Sequence, residues 1–309
     1  MSHEARSSIA PIVESGVSSL VLRVADITLS ARSVDPDLRL TVDPVTRRFL
    51  SPDAVPDLLL AVKRTDLDSA PRGEMLFDSG ASWRLGRLAG GDLLFSFFSA
   101  PLGPIPYKQA RISPDWKTGE ILLHAPFHPL DEPAEVLQFP LDELLFHHLL
   151  ATRGWGVELH ACGVLDPSGK GFLFAGQSGD GKTTTARLWR DQGATVLSDD
   201  RIIVRKENGA FWMYGTPWHG EEELAENLRT KLSGIFILAR GDENRLLDVS
   251  PVEAISALVA RSFVPFHSRE PMENTLAFLE GLVGAVPCRT FAFVPDGGAV
   301  SFVRAQSVY

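Results

Sequence analysis

The sequence predicts an α/β protein with a β-rich N-terminal domain, and three observations support this fold class. Residues 19–139 hold short alternating apolar segments separated by Asp, Pro and Gly clusters, which is typical of strands joined by turns. Beyond residue 140, helical periodicity alternates with apolar strand-like runs. A glycine-rich segment at 176–183 stands between one such strand and one such helix. We therefore expect a flexible segment over residues 1–18, the β-rich domain over 19–139 and a mixed-sheet α/β domain over 140–309.

The bulk composition is that of a soluble globular protein. Of the 309 residues, 44% are hydrophobic and 22% are charged, so a core can form without disulfides or metal. The net charge of −9, without a long basic run, disfavours nucleic acid and acidic membranes as partners. Cys162 and Cys288 lie far apart, and we expect both to be reduced, buried and apolar in role. A secretory signal and long apolar runs are absent, which predicts a cytoplasmic protein.

The N-terminal domain is predicted to consist almost entirely of strands. The alternating segments that predict them cover residues 20–24, 27–31, 38–42, 58–62, 75–77, 82–88, 92–98, 110–112 and 120–124. No motif in this half indicates a reaction. A substrate-docking or oligomer-forming module and a purely structural accessory therefore both stay open as its role.

The second half begins with a helix that follows Pro140, carries acidic residues in its first turn and ends near Gly154. We interpret His147 and His148 within it as packing or surface residues rather than ligands. Strands are predicted over 157–164, 171–175, 195–204 with a break at two aspartates, 210–214 and 234–239, and helices over 182–192, 251–263 and 273–286. A closing hairpin is predicted from strands 290–294 and 299–303.

The segment from Gly176 to Thr183 matches the phosphate-binding pattern G-x-x-x-x-G-K-[ST]. Glycines allow backbone angles that turn successive N–H groups inward, and the following helix adds its positive N-terminal end. Lys182 would neutralise the β- and γ-phosphates, and the Thr183 hydroxyl would bind Mg²⁺. The sequence therefore predicts an ATP-binding protein that uses Mg²⁺, with the nucleotide held by Gly176, Gln177, Ser178, Gly179, Asp180, Gly181, Lys182, Thr183 and Thr184.

Two adjacent carboxylates, Asp199 and Asp200, interrupt an apolar strand one helix after the loop. We expect this strand to lie beside the strand that precedes the loop, so that the aspartates face the γ-phosphate. Neighbouring residues of an extended chain point in opposite directions, so one aspartate could reach a metal ion and the other an acceptor hydroxyl. His160 lies in the apolar strand before the loop, where an isolated histidine is ordinarily a packing residue.

Together these residues resemble the kinase domain of HPr kinase/phosphorylase, a bacterial protein-serine kinase family whose core is similar to phosphoenolpyruvate carboxykinase. The shared pattern is a histidine on a strand, a G-x-S-G-x-G-K-[ST] loop, a helix and a hydrophobic strand that ends in two aspartates. The matching residues are His160, then Gly176, Ser178, Gly179, Gly181, Lys182 and Thr183, then Asp199 and Asp200. The match covers residues 155–205 and implies a carboxykinase-like P-loop kinase core for the second half.

This resemblance implies transfer of the ATP γ-phosphate to a serine hydroxyl. Asp199 would accept the hydroxyl proton, Asp200 and Thr183 would hold Mg²⁺, and His160 would act catalytically with Lys182 by orienting or neutralising the phosphate. The partner would be a protein or peptide that bears a serine, and the family suggests a homo-oligomer. A small-molecule kinase acting on free serine, a carboxykinase-like enzyme and a nucleotide-binding scaffold without turnover stay open as alternatives.

The chain also departs from the family. Ala161 replaces the usual glycine after the histidine, and the segment linked to HPr contact is not recognisable. The chain is more similar to divergent relatives that modify peptides, including kinases for the C-terminal serine of lasso peptides. In the segment 215–223, Glu221 is a candidate metal ligand, while Trp218 and His219 either contact substrate or pack in a loop. Candidate phosphate-binding arginines are Arg240, Arg245, Arg261 and Arg269.

Overall fold

The computed structural model describes residues 17–69, 73–80 and 82–306, so the expected flexible segment lies almost wholly outside the described residues. Alternation of buried and exposed side chains folds the first half into one eight-stranded sheet, in the order β1-β2-β4-β9-β8-β7-β6-β5. Its strands are β1 (Ser19–Val24), β2 (Ile27–Ser33), β4 (Leu58–Thr65), β5 (Glu74–Asp78), β6 (Trp83–Arg87), β7 (Leu93–Phe97), β8 (Lys108–Ile112) and β9 (Thr118–His124). The strand expected at 38–42 is only β3 (Leu40–Thr41), which pairs with β10 (Ala134–Glu135).

The helix predicted after Pro140 is present as α1 (Leu141–Arg153). Gly154 ends it in the left-handed conformation with φ 61°, as the sequence predicted. Residues from Leu141 to Ala151 are all buried, because α1 lies between the N-terminal sheet and the second half of the chain. His147 and His148 are packing residues, and burial lowers the pKa of His147 to about 3.

Within the described residues, the second half combines one large mixed sheet with four further helices. Its strands are β11 (Gly156–Leu165), β12 (Gly171–Ala175), β13 (Thr195–Ser198), β14 (Arg201–Glu207), β15 (Ala210–Gly215), β16 (Arg229–Arg240), β17 (Arg245–Asp248) and β18 (Cys288–Phe293). The helices are α2 (Lys182–Asp191), α3 (Pro251–Val259), α4 (Arg269–Ala285) and α5 (Gly298–Gln306). The observed architecture is thus the mixed α/β class that the sequence predicted.

The pairing of β11 decides where the functional residues meet. β12 and β13 each pair antiparallel with β11, so they run parallel to one another and end at the same sheet edge. The expectation that the aspartate strand lies directly beside the loop strand is therefore wrong, because β11 separates the two. β12 also pairs with β16, so β11, β14, β15, β16 and β12 form a closed ring of strands.

Two other secondary-structure predictions are corrected. The expected final strand at 299–303 is helix α5, since Ala299, Val300 and Val303 lie on one helical face and are buried in the core. The helix predicted over 251–263 ends at Val259. The following residues extend along β11 instead, with the His160 N–H donating to the Arg261 carbonyl at 2.7 Å.

One hydrophobic cluster crosses between the two halves, and two further clusters lie within the second half. The largest buried cluster joins the N-terminal sheet and α1 to Ile203, Tyr214, Trp218 and Ala225 of the second half. Both cysteines are free thiols; Cys162 is buried, as predicted, whereas Cys288 is only half-buried. No described helix combines the length and the apolar composition of a membrane span.

Asp142 of α1 makes stability depend on pH. It is buried and accepts a hydrogen bond from Trp218 Nε1 at 2.7 Å, and burial raises the pKa of its carboxyl from the ordinary value of 3.8 to about 7. Between these two values the folded chain holds a proton that the unfolded chain has released, so this group lowers stability as the pH rises. As the pH rises from about 4 to 7, the free energy of unfolding of Asp142→Asn should increase relative to that of the wild type by on the order of a few kcal/mol. Urea unfolding across this range measures the difference, and a constant offset would contradict the assignment.

Candidate functional site

Three elements that are separate in the sequence meet at one edge of the second sheet. His160 lies in β11, Gly176 follows β12, and Asp199 and Asp200 follow β13. The His160 carbonyl accepts the Gly176 N–H at 3.2 Å, and the Ala161 N–H donates to the Asp200 carbonyl at 3.0 Å. The structure therefore brings together the histidine, the glycine-rich loop and the aspartates that the sequence singled out.

The loop has the strand–loop–helix setting that a phosphate cradle requires. Gly179 and Gly181 have φ values of 85° and 99°, a region that favours glycine. A side chain at Gly181 would also place its Cβ 2.8 Å from the Phe293 ring. Gln177 and Gly179 are exposed, so this part of the loop is accessible to a ligand.

Internal hydrogen bonds close the loop in this structure. Lys182 Nζ donates to the Gln177 carbonyl at 3.1 Å, and the Gln177 N–H donates to Asp180 Oδ2 at 2.6 Å. Both are groups expected to contact phosphate, so a bound nucleotide would have to replace these internal partners. The Asp180 carboxylate thus accepts a backbone N–H hydrogen bond that a bound anion could otherwise accept.

Asp200 is the carboxylate at the centre of the site. Its Oδ1 lies 2.7 Å from His160 Nε2 and 3.7 Å from Lys182 Nζ, and its Oδ2 contacts the Arg201 guanidinium. Burial by itself raises the pKa of Asp200, but the His160 hydrogen bond and the Arg201 charge outweigh it and hold the pKa below its usual value. Burial lowers the pKa of Lys182, an effect that Asp200 opposes. A quarter of the Asp200 side chain stays exposed, so a substrate can approach it.

Asp199 has a different environment. It is fully buried, and its two oxygens accept the N–H groups of Gly220 at 2.8 Å and Glu222 at 3.2 Å. A Cβ on Gly220 would lie 2.8 Å from Asp199 Oδ2, so this close approach requires glycine. Asp199 therefore anchors the loop after β15. That Asp199 accepts the proton of a substrate hydroxyl stays a prediction. For this role, the hydrogen bonds from Gly220 and Glu222 would have to break.

Arg201 links the site to α1. Its Nε donates to Glu143 at 2.7 Å and lies 3.9 Å from the carboxylate of Glu158, and its guanidinium lies 4.5 Å from the Phe263 ring centre. Glu158 is buried, and neither of its oxygens has a hydrogen-bond partner among the described residues. Burial and the neighbouring Glu143 raise the pKa of Glu158 well above its usual value.

Arg201→Met is expected to lower the free energy of unfolding by roughly 3–5 kcal/mol, because it leaves the buried Glu143 carboxylate without its counter-charge. Urea unfolding measures the loss. The double variant Arg201→Met/Glu143→Gln should recover part of it, since the stranded charge is then removed. Equal stability of the single variant and the wild type would contradict a structural role for this ion pair.

The predicted magnesium ligands differ in their placement. Thr183 is half-buried in the first turn of α2, beside the equally half-buried Thr184, whereas Glu221 is exposed on the loop after Trp218. Hydroxyl and carboxylate oxygens are donors that Mg²⁺ prefers, so Thr183, Asp200 and Glu221 fit this ion in donor chemistry. Their metal binding stays a prediction.

The candidate arginines separate into two groups. Arg261 lies 3.5 Å from Asp180 Oδ2, and Arg240 donates to the Gly179 carbonyl at 3.4 Å, so both lie against the glycine-rich loop. Arg245 instead pairs with Glu243 and Arg269 with Glu273, on exposed surfaces. The sequence offered no signal to choose among the four, because the approach of Arg261 depends on where α3 ends.

The loop aromatic is a packing residue. Trp218 is buried, donates to Asp142 and packs against Phe146 with 5.6 Å between ring centres. His219 lies half-buried with its Nδ1 2.9 Å from the Gly220 carbonyl. The sequence did not single out Arg201 or Glu143 as site residues. The only signal was a charged residue directly after the aspartate pair and another in the first turn of a buried helix.

Comparison with known proteins leaves the family open. No family model matches the chain, and no curated protein matches it. Among solved structures, the chain is similar to the HPr(Ser) kinase/phosphatase from Coxiella burnetii, with 13% identity and a TM-score of 0.28. The alignment covers 48% of this chain and 97% of that one. At this TM-score the likeness assigns neither a fold family nor a function.

Proposed function

We propose that this protein is an ATP-dependent kinase that transfers the γ-phosphate to a serine hydroxyl of a protein or peptide. The observation that supports it is the meeting of Lys182, at the end of a phosphate-type loop, with the paired His160 and Asp200 at one sheet edge. A nucleotide-binding scaffold has no need of a partly exposed carboxylate held beside the phosphate-binding lysine. Phosphoryl transfer needs such a group next to the γ-phosphate.

The residues divide the work as follows. The loop N–H groups, the N-terminus of α2 and Lys182 hold the ATP phosphates, and Arg261 and Arg240 add positive charge beside the loop. Magnesium, held by Thr183 and the phosphate oxygens, would neutralise the charge that develops on the transferred group.

Asp200 accepts the proton of the acceptor hydroxyl, because it is the accessible member of the aspartate pair. His160 and Arg201 orient its carboxylate, which keeps it ionised and directed at the acceptor. This assignment moves the proton-accepting part from Asp199, where the sequence suggested it, to Asp200, and it rests on the difference in exposure between the two side chains.

The test is incubation of the full chain with ATP, Mg²⁺ and serine-containing peptides, followed by peptide mass and ADP release. We expect one added phosphoryl group per modified peptide and no transfer by Lys182→Ala. Lys117→Ala, at an exposed turn, is the matched control and should behave as the wild type. A parallel reaction with free serine distinguishes a small-molecule kinase. ADP release equal to that of Lys182→Ala with every acceptor would contradict the proposal and favour a scaffold.

A further inference from the structure

The N-terminal sheet carries a cavity of about 330 Å³ that the proposed kinase site does not use. Its walls are polar and apolar in nearly equal parts, and the apolar side chains include Leu67, Leu94, Phe98 and Ile105. The volume lies at the lower end of the range for small-molecule sites in proteins, about 300–1,000 Å³.

The cavity lies on the face of the sheet that is turned away from α1. In β8, Ala110 and Ile112 belong to the core that includes α1, and Lys108 interacts with Asp142 of that helix. Gln109 lies between Lys108 and Ala110 in the strand, so its side chain points to the opposite face, where it lines the cavity. A ligand bound there would therefore be separated from the nucleotide loop by the sheet and by α1.

Gln109 is a buried polar side chain in the wall of this cavity. It is only 4% exposed, and its Nε2 donates to Ser96 Oγ at 3.0 Å, which fixes the orientation of the amide. Its Oε1 is buried and has no hydrogen-bond partner among the residues that the structure describes. A buried acceptor without a donor costs about 1–3 kcal/mol, so this oxygen is suited to a ligand that brings an N–H or O–H group.

A group of hydrogen-bonded side chains fixes the rim of the cavity. His124 Nδ1 accepts the Leu67 N–H at 2.9 Å, so its proton sits on Nε2, which lies 3.5 Å from Asp68 Oδ1. Both ring nitrogens of His124 therefore have partners. The histidine stabilises the rim, and neither nitrogen offers a free lone pair to a metal ion. Arg84, also in the wall, pairs with Asp78 at 2.9 Å, and its guanidinium lies 4.7 Å from the Phe98 ring centre. Among the described residues, Asp68 adds a carboxylate to this rim.

We propose that this cavity binds an apolar group that ends in a primary amine. The apolar body contacts the leucine and phenylalanine walls, the amine donates to Gln109 Oε1, and its positive charge is balanced by Asp68. A free small molecule and a lysine side chain of a peptide share this chemistry. The inference does not depend on kinase activity, because none of these residues belongs to the nucleotide site.

Calorimetric titration of the full chain with phenethylamine tests this proposal. We expect binding, and an affinity about tenfold lower in Gln109→Leu, which removes the acceptor. Leu94→Trp, which fills the cavity, should abolish binding, whereas Gln138→Leu at an exposed position should leave it unchanged. Phenylacetate, of similar size but anionic, should bind at least about tenfold more weakly. A capped tripeptide with a central lysine distinguishes the two sources: tighter binding than phenethylamine supports a peptide, weaker binding a free amine.

Thermal unfolding of the same variants shows that they are folded. Gln109→Leu should raise the melting temperature of the ligand-free protein, because it removes a buried acceptor without a partner. Absence of phenethylamine binding at millimolar concentration, or equal binding by the wild type, Gln109→Leu and Leu94→Trp, would overturn the proposal. Equal affinity for phenylacetate would overturn the part assigned to Asp68.

Discussion

Asp200→Asn is expected to lower the rate of phosphoryl transfer by about 10²–10⁴-fold while ATP still binds. The amide keeps the shape of the carboxylate but cannot take a proton from the acceptor hydroxyl. It also removes the negative charge that lies 3.7 Å from Lys182 Nζ, so the affinity for the anionic nucleotide should hold or rise. Single-turnover transfer and ATP titration measure the two quantities separately.

The dependence on metal concentration tells proton transfer from metal binding at this residue. If Asp200 is the proton acceptor, excess Mg²⁺ or Mn²⁺ leaves the transfer rate of Asp200→Asn low. Substantial recovery at high metal concentration would instead support the metal-binding part that the sequence suggested. Asp191→Asn, at the exposed end of α2, is the matched control and should keep wild-type activity. Full activity of Asp200→Asn would refute both assignments.

The substitution Asp199→Asn should mainly lower the stability of the fold. In Asp199→Asn, one backbone N–H of the pair from Gly220 and Glu222 faces an amide NH₂ instead of an oxygen, and the other loses a charged acceptor. Hydrogen bonds to a buried carboxylate contribute about 1.5–3 kcal/mol each, so we expect a loss of roughly 2–4 kcal/mol in the free energy of unfolding. Urea unfolding measures the loss, and limited proteolysis near residue 220 reports on the loop.

A comparison of the two variants decides which aspartate faces the acceptor. Reduced stability in Asp199→Asn, with residual transfer that scales with the folded fraction, supports an anchoring part. Abolished transfer at unchanged stability would support the proton-accepting part that the sequence predicted for Asp199. The two substitutions differ by one position and introduce the same chemistry, so each is the natural control for the other.

Local patterns predicted most of the secondary structure, and the errors have physical reasons. The run 299–303 alternates weakly enough to suit a strand or a short helix, and only burial of one helical face against the core selects α5. The helix expected to reach residue 263 ends at Val259 because the next residues gain hydrogen bonds to β11. In both cases the secondary structure is decided by contacts with segments far along the chain, and the local sequence pattern carries no information about those contacts.

By itself, the sequence determined the mixed α/β class, the strand–loop–helix around Lys182 and the set of His160, Asp199 and Asp200. Each of these depends on residue types and on their separation along the chain, and both can be read directly from the sequence. Only the tertiary structure decided that β11 lies between β12 and β13, that Asp199 is buried and Asp200 accessible, and that Arg201 and Glu143 join the site. Burial and charge pairing are set by strand order and by loops that return from far along the chain. Two adjacent aspartates of identical chemistry therefore acquire different environments once the chain is folded.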